Sequence, residues 1–188
     1  MYNHRNMDMM QIKRFVVPSI VISHFHINPG DTVADLGAGN GYFLDALAGA
    51  VGKSGTVYMC DIQKPLVESL GDQARAYPDG LIHPIWGDIE LPHGTKIPTD
   101  SVDRAVLVNT LFQIVDKNAA VSEIQRLLRP GGKLFIIDWT EPWGGLGPRE
   151  DMVYKKDAAV ALFENSGFVF EADFPAGDHH YGIALRLP

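Results

Sequence analysis

Short apolar runs alternate with helix-like segments along most of this chain, and that alternation limits the possible folds more than any other feature. Thr32-Val33-Ala34-Asp35-Leu36 reads as a buried strand, followed by a helix from Tyr42 to about Ala50. Thr56 to Cys60 is a second strand ending on Asp61, and Pro65 opens a helix to about Tyr77. Leu81 to Trp86, Arg104 to Val108 and Lys133 to Ile137 give strands three to five, with a helix from about Asp116 to Leu128 between the last two. Strands that alternate with helices need right-handed crossovers, so a mainly parallel sheet covered on both faces is expected, an α/β fold. The end of the chain departs from this rhythm. After a helix from about Glu150 to Asn165, the strands Phe168–Phe174 and Tyr181–Leu187 are joined only by Pro175 to His180, a link that permits only an antiparallel pair. Ahead of the first strand, Met7 to Phe25 reads as a helical lead-in, with Pro18 opening a second short helix. No repeat or long linker interrupts the 188 residues, so one domain is expected, with residues 1–30 as lead-in and 31–188 as core.

Composition narrows the partners. A hydrophobic share of 46% supports a packed core, and the net charge of −7 works against a grip on phosphate backbones, so no nucleic acid is expected. Cys60, the single cysteine, allows no internal disulfide and no cysteine-based zinc cluster, which suits the cytoplasm. Met1 to Met10 is polar and no apolar run is long enough to span a bilayer, so neither a signal nor a membrane span is expected.

Gly37, Gly39 and Gly41 follow the first strand, and such a loop lets the backbone approach a nucleotide closely. The dinucleotide pattern G-x-G-x-x-G would put its last glycine where this chain has Tyr42, which counts against an NAD-dependent oxidoreductase. Asp35, two residues before the loop, would repel a pyrophosphate and attract a sulfonium or ammonium; alternatively it ties down the loop backbone. Asp61 at the end of the second strand can accept both hydroxyls of a ribose, or cap the next helix. Asp88, after the third strand, can accept from an exocyclic amine, or serve as a turn aspartate.

The segment Val33-Ala34-Asp35-Leu36-Gly37-Ala38-Gly39-Asn40-Gly41 resembles the first motif of the class I S-adenosylmethionine-dependent methyltransferases. Asp61, Gly87-Asp88-Ile89, Ser101 to Asn109 and Leu127 to Leu134 are similar to that family's later motifs, and the likeness runs from about Asp31 to Arg186. It implies a Rossmann-like, doubly wound, seven-stranded sheet of order 3-2-1-4-5-7-6 with strand seven antiparallel. It also implies S-adenosyl-L-methionine as cofactor, held by Asp35, Gly37, Ala38, Gly39, Asn40, Gly41, Asp61, Ile62, Asp88, Ile89 and Asn109. The closest look is to the small-molecule branch that includes quinone-ring methyltransferases; Phe112-Gln113 stands where that branch often carries paired histidines.

Methyl transfer depends mostly on positioning, and a base is needed only for an acceptor still protonated at working pH. A reversed seventh strand brings Asp178, His179, His180 and Tyr181 to the ligand edge, beside Asn109, Asp138, Trp139, Glu141, Trp143 and Gly144-Gly145. His180, Asn109 and Asp138 are the candidate catalytic residues, and only one of His179 and His180 can point inward from a strand. A metal site from Asp138, Glu141 and His180 is not expected, because both acids come from one loop. The expectation is therefore a monomeric or homodimeric methyltransferase acting on a small-molecule O, N or C nucleophile. A cofactor-binding protein without chemistry is the remaining alternative.

Overall fold

A computed structural model describes residues 15–188 apart from 144 and 146. Its seven strands are β1 (Thr32–Leu36), β2 (Thr56–Asp61), β3 (Ile82–Trp86), β4 (Val102–Val108), β5 (Leu128–Trp139), β6 (Val169–Pro175) and β7 (His180–Arg186). They form one sheet in the order β3-β2-β1-β4-β5-β7-β6, parallel from β3 to β5, with β7 antiparallel to both neighbours. The helices are α1 (Pro18–Val21), α2 (Leu44–Val51), α3 (Lys64–Ala74), α4 (Lys117–Leu127) and α5 (Lys156–Glu164). Among the described residues no helix is long and apolar enough to cross a membrane.

The sheet is nearly continuous in apolar residues because both faces are covered. One face packs Ile124, Phe163, Ile136 and Ile183 together. The other packs the lead-in residues Val16, Val21 and Phe25 with Leu47, Phe135 and Phe174. Pro18 does open α1, and a 3-10 turn, Ile22–Phe25, continues it until His26 takes a left-handed φ of 46°. The expected helix before Phe15 lies outside the described residues.

Several boundaries differ from expectation, and three of them bear on the site. β5 begins at Leu128, five residues before Lys133, because Leu128 pairs with Val102 and the intervening Gly131 and Gly132 bond to Leu187. α5 begins at Lys156, since Glu150–Met152 closes a separate 3-10 turn and Val153 and Lys155 are extended. His180 belongs to β7, opposite Trp139, and is not part of the link.

One buried ion pair stiffens the wall behind β3. Glu123 of α4 accepts from the N–H groups of His93 and Thr95, from the Thr95 hydroxyl and from Arg126. Burial pushes its carboxyl up, but these donors outweigh it and hold it down at about 2. The segment after Asp88 is thus anchored to α4.

Candidate active site

A cavity of about 720 Å³ opens at the carboxyl ends of β1, β2, β3 and β4, the edge where parallel sheets bind ligands. Its floor is the loop after β1. The N–H groups of Gly37 and Ala38 both donate to the Cys60 carbonyl, at 2.8 and 3.0 Å, which binds the loop to the end of β2. Gly37 has a φ of 84°, and a Cβ there would lie 2.4 Å from the Thr110 hydroxyl. Gly39, at φ 56°, would meet nothing within 4 Å, so its Cβ direction is open space in the cavity wall.

Gly41 requires a correction. It does not line the cavity; its Cβ would sit 2.8 Å from the Leu70 side chain, so glycine is needed there for α3 to approach. The other residues expected at the cofactor do line the cavity: Asp35, Gly37, Ala38, Gly39, Asn40, Asp61, Ile62, Asp88, Ile89 and Asn109.

The acids divide their work. Asp61 Oδ2 accepts from Gly39 N–H and its Oδ1 from Gln63 N–H, each at 2.8 Å. It therefore ties down the loop, the role weighed for Asp35, and each oxygen keeps a lone pair for a ligand. Asp88 spends Oδ1 on its own turn through Glu90 N–H at 2.8 Å. Asp35 is 3% exposed, and no donor among the described residues hydrogen-bonds its carboxylate. Burial, with Asp61 adding repulsion, pushes its carboxyl up to about 7.

Asn109 follows β4 with a left-handed φ of 53°, and its Oδ1 is buried without a partner among the described residues. A buried acceptor left bare costs about 1–3 kcal/mol, so this atom is set up for an incoming donor. Two carboxylates, Asp138 outside the cavity and Glu90 in its lining, hold the segment that follows. Asp138 accepts from Phe112 N–H at 3.1 Å and from Trp139 N–H at 2.8 Å. Glu90 accepts from Val115 N–H at 3.2 Å and Asp116 N–H at 2.6 Å, across the cavity rim.

Two of the three catalytic candidates lie elsewhere than expected. Asp138 is fully buried and does not line the cavity; burial lifts its carboxyl to about 6 against its backbone hydrogen bonds. It positions the turn after Asn109. His180 also lies outside the lining, 7% exposed, its ring 4.2 Å from that of Trp139, with both nitrogens unpartnered. Burial, reinforced by His179, lowers its pKa to about 4, so it is neutral at pH 7 and a poor proton acceptor. His179 instead lies 3.1 Å from Glu141 Oε1 and stacks on Trp143. The Tyr181 hydroxyl turns to the other face and donates to Tyr154 O. Gly144 lies outside the described residues. Among the described residues no cluster of three His, Cys, Asp or Glu side chains is placed to hold a metal ion.

Sequence reasoning missed Tyr42, Gln63, Glu90, Thr110 and Gln113. Tyr42 entered as a helix start and a missing glycine, yet it lines the cavity and donates its hydroxyl to Val16 O at 3.1 Å. Glu90 carries no spacing signal, since the backbone it caps lies 25 and 26 residues away.

A family model described as "Methyltransferase domain" matches residues 34–136, more than half of the chain. The 2-phytyl-1,4-naphtoquinone methyltransferase of Synechococcus elongatus is 34% identical over 168 residues, 84% of this chain and 70% of that protein. The ubiquinone/menaquinone biosynthesis C-methyltransferase UbiE of Chromobacterium violaceum is 32% identical over 127 residues, 66% of this chain. The matched stretch covers 50% of that relative, so the chain spans about half its length. A SAM-dependent methyltransferase from Aquifex aeolicus has the same fold, with a TM-score of 0.83 over 99% of this chain and 100% of that one, at 21% identity.

Proposed function

The chain belongs to the class I S-adenosylmethionine-dependent methyltransferase family, and from that membership we propose that it transfers a methyl group to a small, quinone-type ring acceptor. The cofactor is S-adenosylmethionine, and the residues present fit it. Asp35 has no internal donor, Asn109 Oδ1 is bare, and the Gly39 cradle is open; a cationic ligand with donor groups is what such a wall lacks. That triad of unmet groups on one cavity is the observation that carries the reading.

When bound, the cofactor supplies an electrophilic methyl group on a sulfonium. In this proposal Asp35 and Asn109 face its cationic end, Asp61 accepts from the ribose hydroxyls, and Asp88 with Ile89 takes the adenine. Asp138 keeps that wall in place from behind, and Glu90 and Thr110 do so within it. No base is assigned. His180 stays neutral behind Trp139 and Asp138 is occupied by backbone donors, so a ring carbon or oxygen activated by the acceptor's own ionised hydroxyl suits the site better. The negative net charge supports a small molecule over nucleic acid, and the reading treats residues 1–188 as one domain acting in the cytoplasm as monomer or homodimer.

Titration calorimetry tests it. S-adenosylhomocysteine should bind and NADH should not, with labelled methyl then passing to a naphthoquinol. Binding of NADH alone overturns the proposal. A finer expectation concerns Asp61: Asp61→Ala should weaken cofactor binding by about 1–3 kcal/mol, since it removes the ribose acceptor and frees Gly39 N–H together. Unchanged affinity removes Asp61 from the site.

A further inference from the structure

Among the described residues, Asn109 is the only cavity-lining residue other than glycine with a left-handed backbone. Asparagine tolerates that conformation better than most residues, but neighbouring bonds must still hold it. The chain leaves the β4 ladder at this point. Asn109 N–H donates to Ile137 O at 2.8 Å, while its carbonyl accepts from the Nε2 of Gln113, also at 2.8 Å. Gln113 closes the 3-10 turn Leu111–Gln113, which brings it back beside Asn109 four residues upstream, and it lines the cavity as Asn109 does.

The amide of Gln113 has one possible orientation. A carbonyl oxygen only accepts, so Nε2 must face Asn109 O and Oε1 must point away from it. Three further bonds hold the same turn: the Thr110 hydroxyl donates to Val108 O at 3.0 Å, Gln113 N–H to Thr110 O at 3.0 Å, and Phe112 N–H to Asp138 Oδ2 at 3.1 Å. Asn109 Oδ1 is the one buried side-chain polar atom of this turn left bare. An acceptor there calls for an N–H or O–H, and the sulfonium of the cofactor carries neither. The α-ammonium beside it carries three N–H donors, as any primary ammonium does.

We infer that Gln113 is a positioning residue for the amino-acid end of the cofactor: by holding the Asn109 carbonyl it keeps that backbone left-handed and aims Oδ1 at the α-ammonium. The inference rests on the placement of Asn109 at the cationic end proposed above and deepens it. Gln113 acts through Asn109, so its loss should leave the adenine and ribose contacts of Asp88 and Asp61 untouched. Because Gln113 is exposed, water competes for its amide, and the effect should be a few-fold weakening rather than abolition of binding.

The test compares S-adenosylhomocysteine with 5′-methylthioadenosine, which shares its adenine, ribose and thioether but lacks the amino-acid end, each titrated calorimetrically into the full chain. The ratio of the two affinities reads the amino-acid end alone. Gln113→Met keeps the length of the side chain and removes its donor, and the ratio should fall by about three- to tenfold while 5′-methylthioadenosine binds as before. Asn109→Gly accepts the left-handed backbone and removes Oδ1, and should lower the ratio by about ten- to a hundredfold. Adding Gln113→Met to Asn109→Gly should change the ratio no further, since the side chain it acts through is gone. An unchanged ratio in Gln113→Met overturns the inference, as does a loss that adds in full to that of Asn109→Gly. Equal weakening of both ligands by Gln113→Met also overturns it, because that marks a merely structural role. The two readings fail separately: an unchanged ratio in Asn109→Gly overturns the placement of Asn109 and the inference with it, whereas a fallen ratio there beside an unchanged one in Gln113→Met overturns the inference alone.

Discussion

Gly39→Val should reduce affinity for S-adenosylhomocysteine by more than about a hundredfold while leaving a folded protein. The Cβ direction of Gly39 meets nothing within 4 Å, so no protein atom must move to admit the side chain. Its branches would instead stand in the cavity, in the space that the cofactor needs. The variant does carry a backbone cost, because a β-branched residue at φ 56° is strained by about 1–2 kcal/mol. For a chain of this size that cost lowers the melting temperature by roughly 2–8 °C, which a thermal scan resolves. Gly37→Val gives the contrast: there the new side chain meets Thr110 at once, so stability should suffer more than at Gly39. Retained affinity in Gly39→Val with native circular dichroism would remove the loop from the cofactor site.

The contrast among these glycines also shows what a linear reading can reach. Strand, loop and helix are local patterns, and the acids Asp35, Asp61 and Asp88 stood out because each follows or ends an apolar run. Their cavity positions follow from the parallel sheet, which places every such end on one edge. The requirement for Gly41 is different in kind. It comes from Leu70, a residue on the next helix, and nothing near Gly41 in the sequence announces it. Asp138 and His180 fail for a related reason. Topology carried both to the correct edge, but whether a side chain faces ligand or core depends on what covers it. The backbone turn at Phe112 covers one and Trp139 the other. The early start of β5 was hidden because Pro130-Gly131-Gly132 reads as a turn, while the bonds that keep it extended come from Leu187 at the opposite end of the chain.

Asp35→Asn should make the protein without cofactor more stable at pH 8 and should weaken the cofactor's hold, and the two effects share one cause. Folding takes the Asp35 carboxyl from its ordinary value of about 4 up to about 7. The folded state therefore binds a proton more readily than the unfolded chain. Below about pH 4 both states are protonated and the ionisation penalty is absent. It grows as pH rises through the window from about 4 to 7, and above that it is fully present. An amide carries no such penalty, so the gain from Asp35→Asn should be on the order of 2–4 kcal/mol at pH 8 and vanish near pH 4. Denaturant unfolding across that range checks the sign, and a gain that grows as pH falls would refute it. A cationic ligand reverses the preference by stabilising the carboxylate. Cofactor binding near pH 6.5 should then release part of a proton, visible as a buffer-dependent binding enthalpy. Asp35→Asn should abolish that dependence and lower affinity by about tenfold or more, with the larger loss at pH 8, where the native carboxylate is charged. An unpaired buried acid is thus a stability cost in the empty protein and an attraction for the ligand, and only a residue that faces the bound cation shows both.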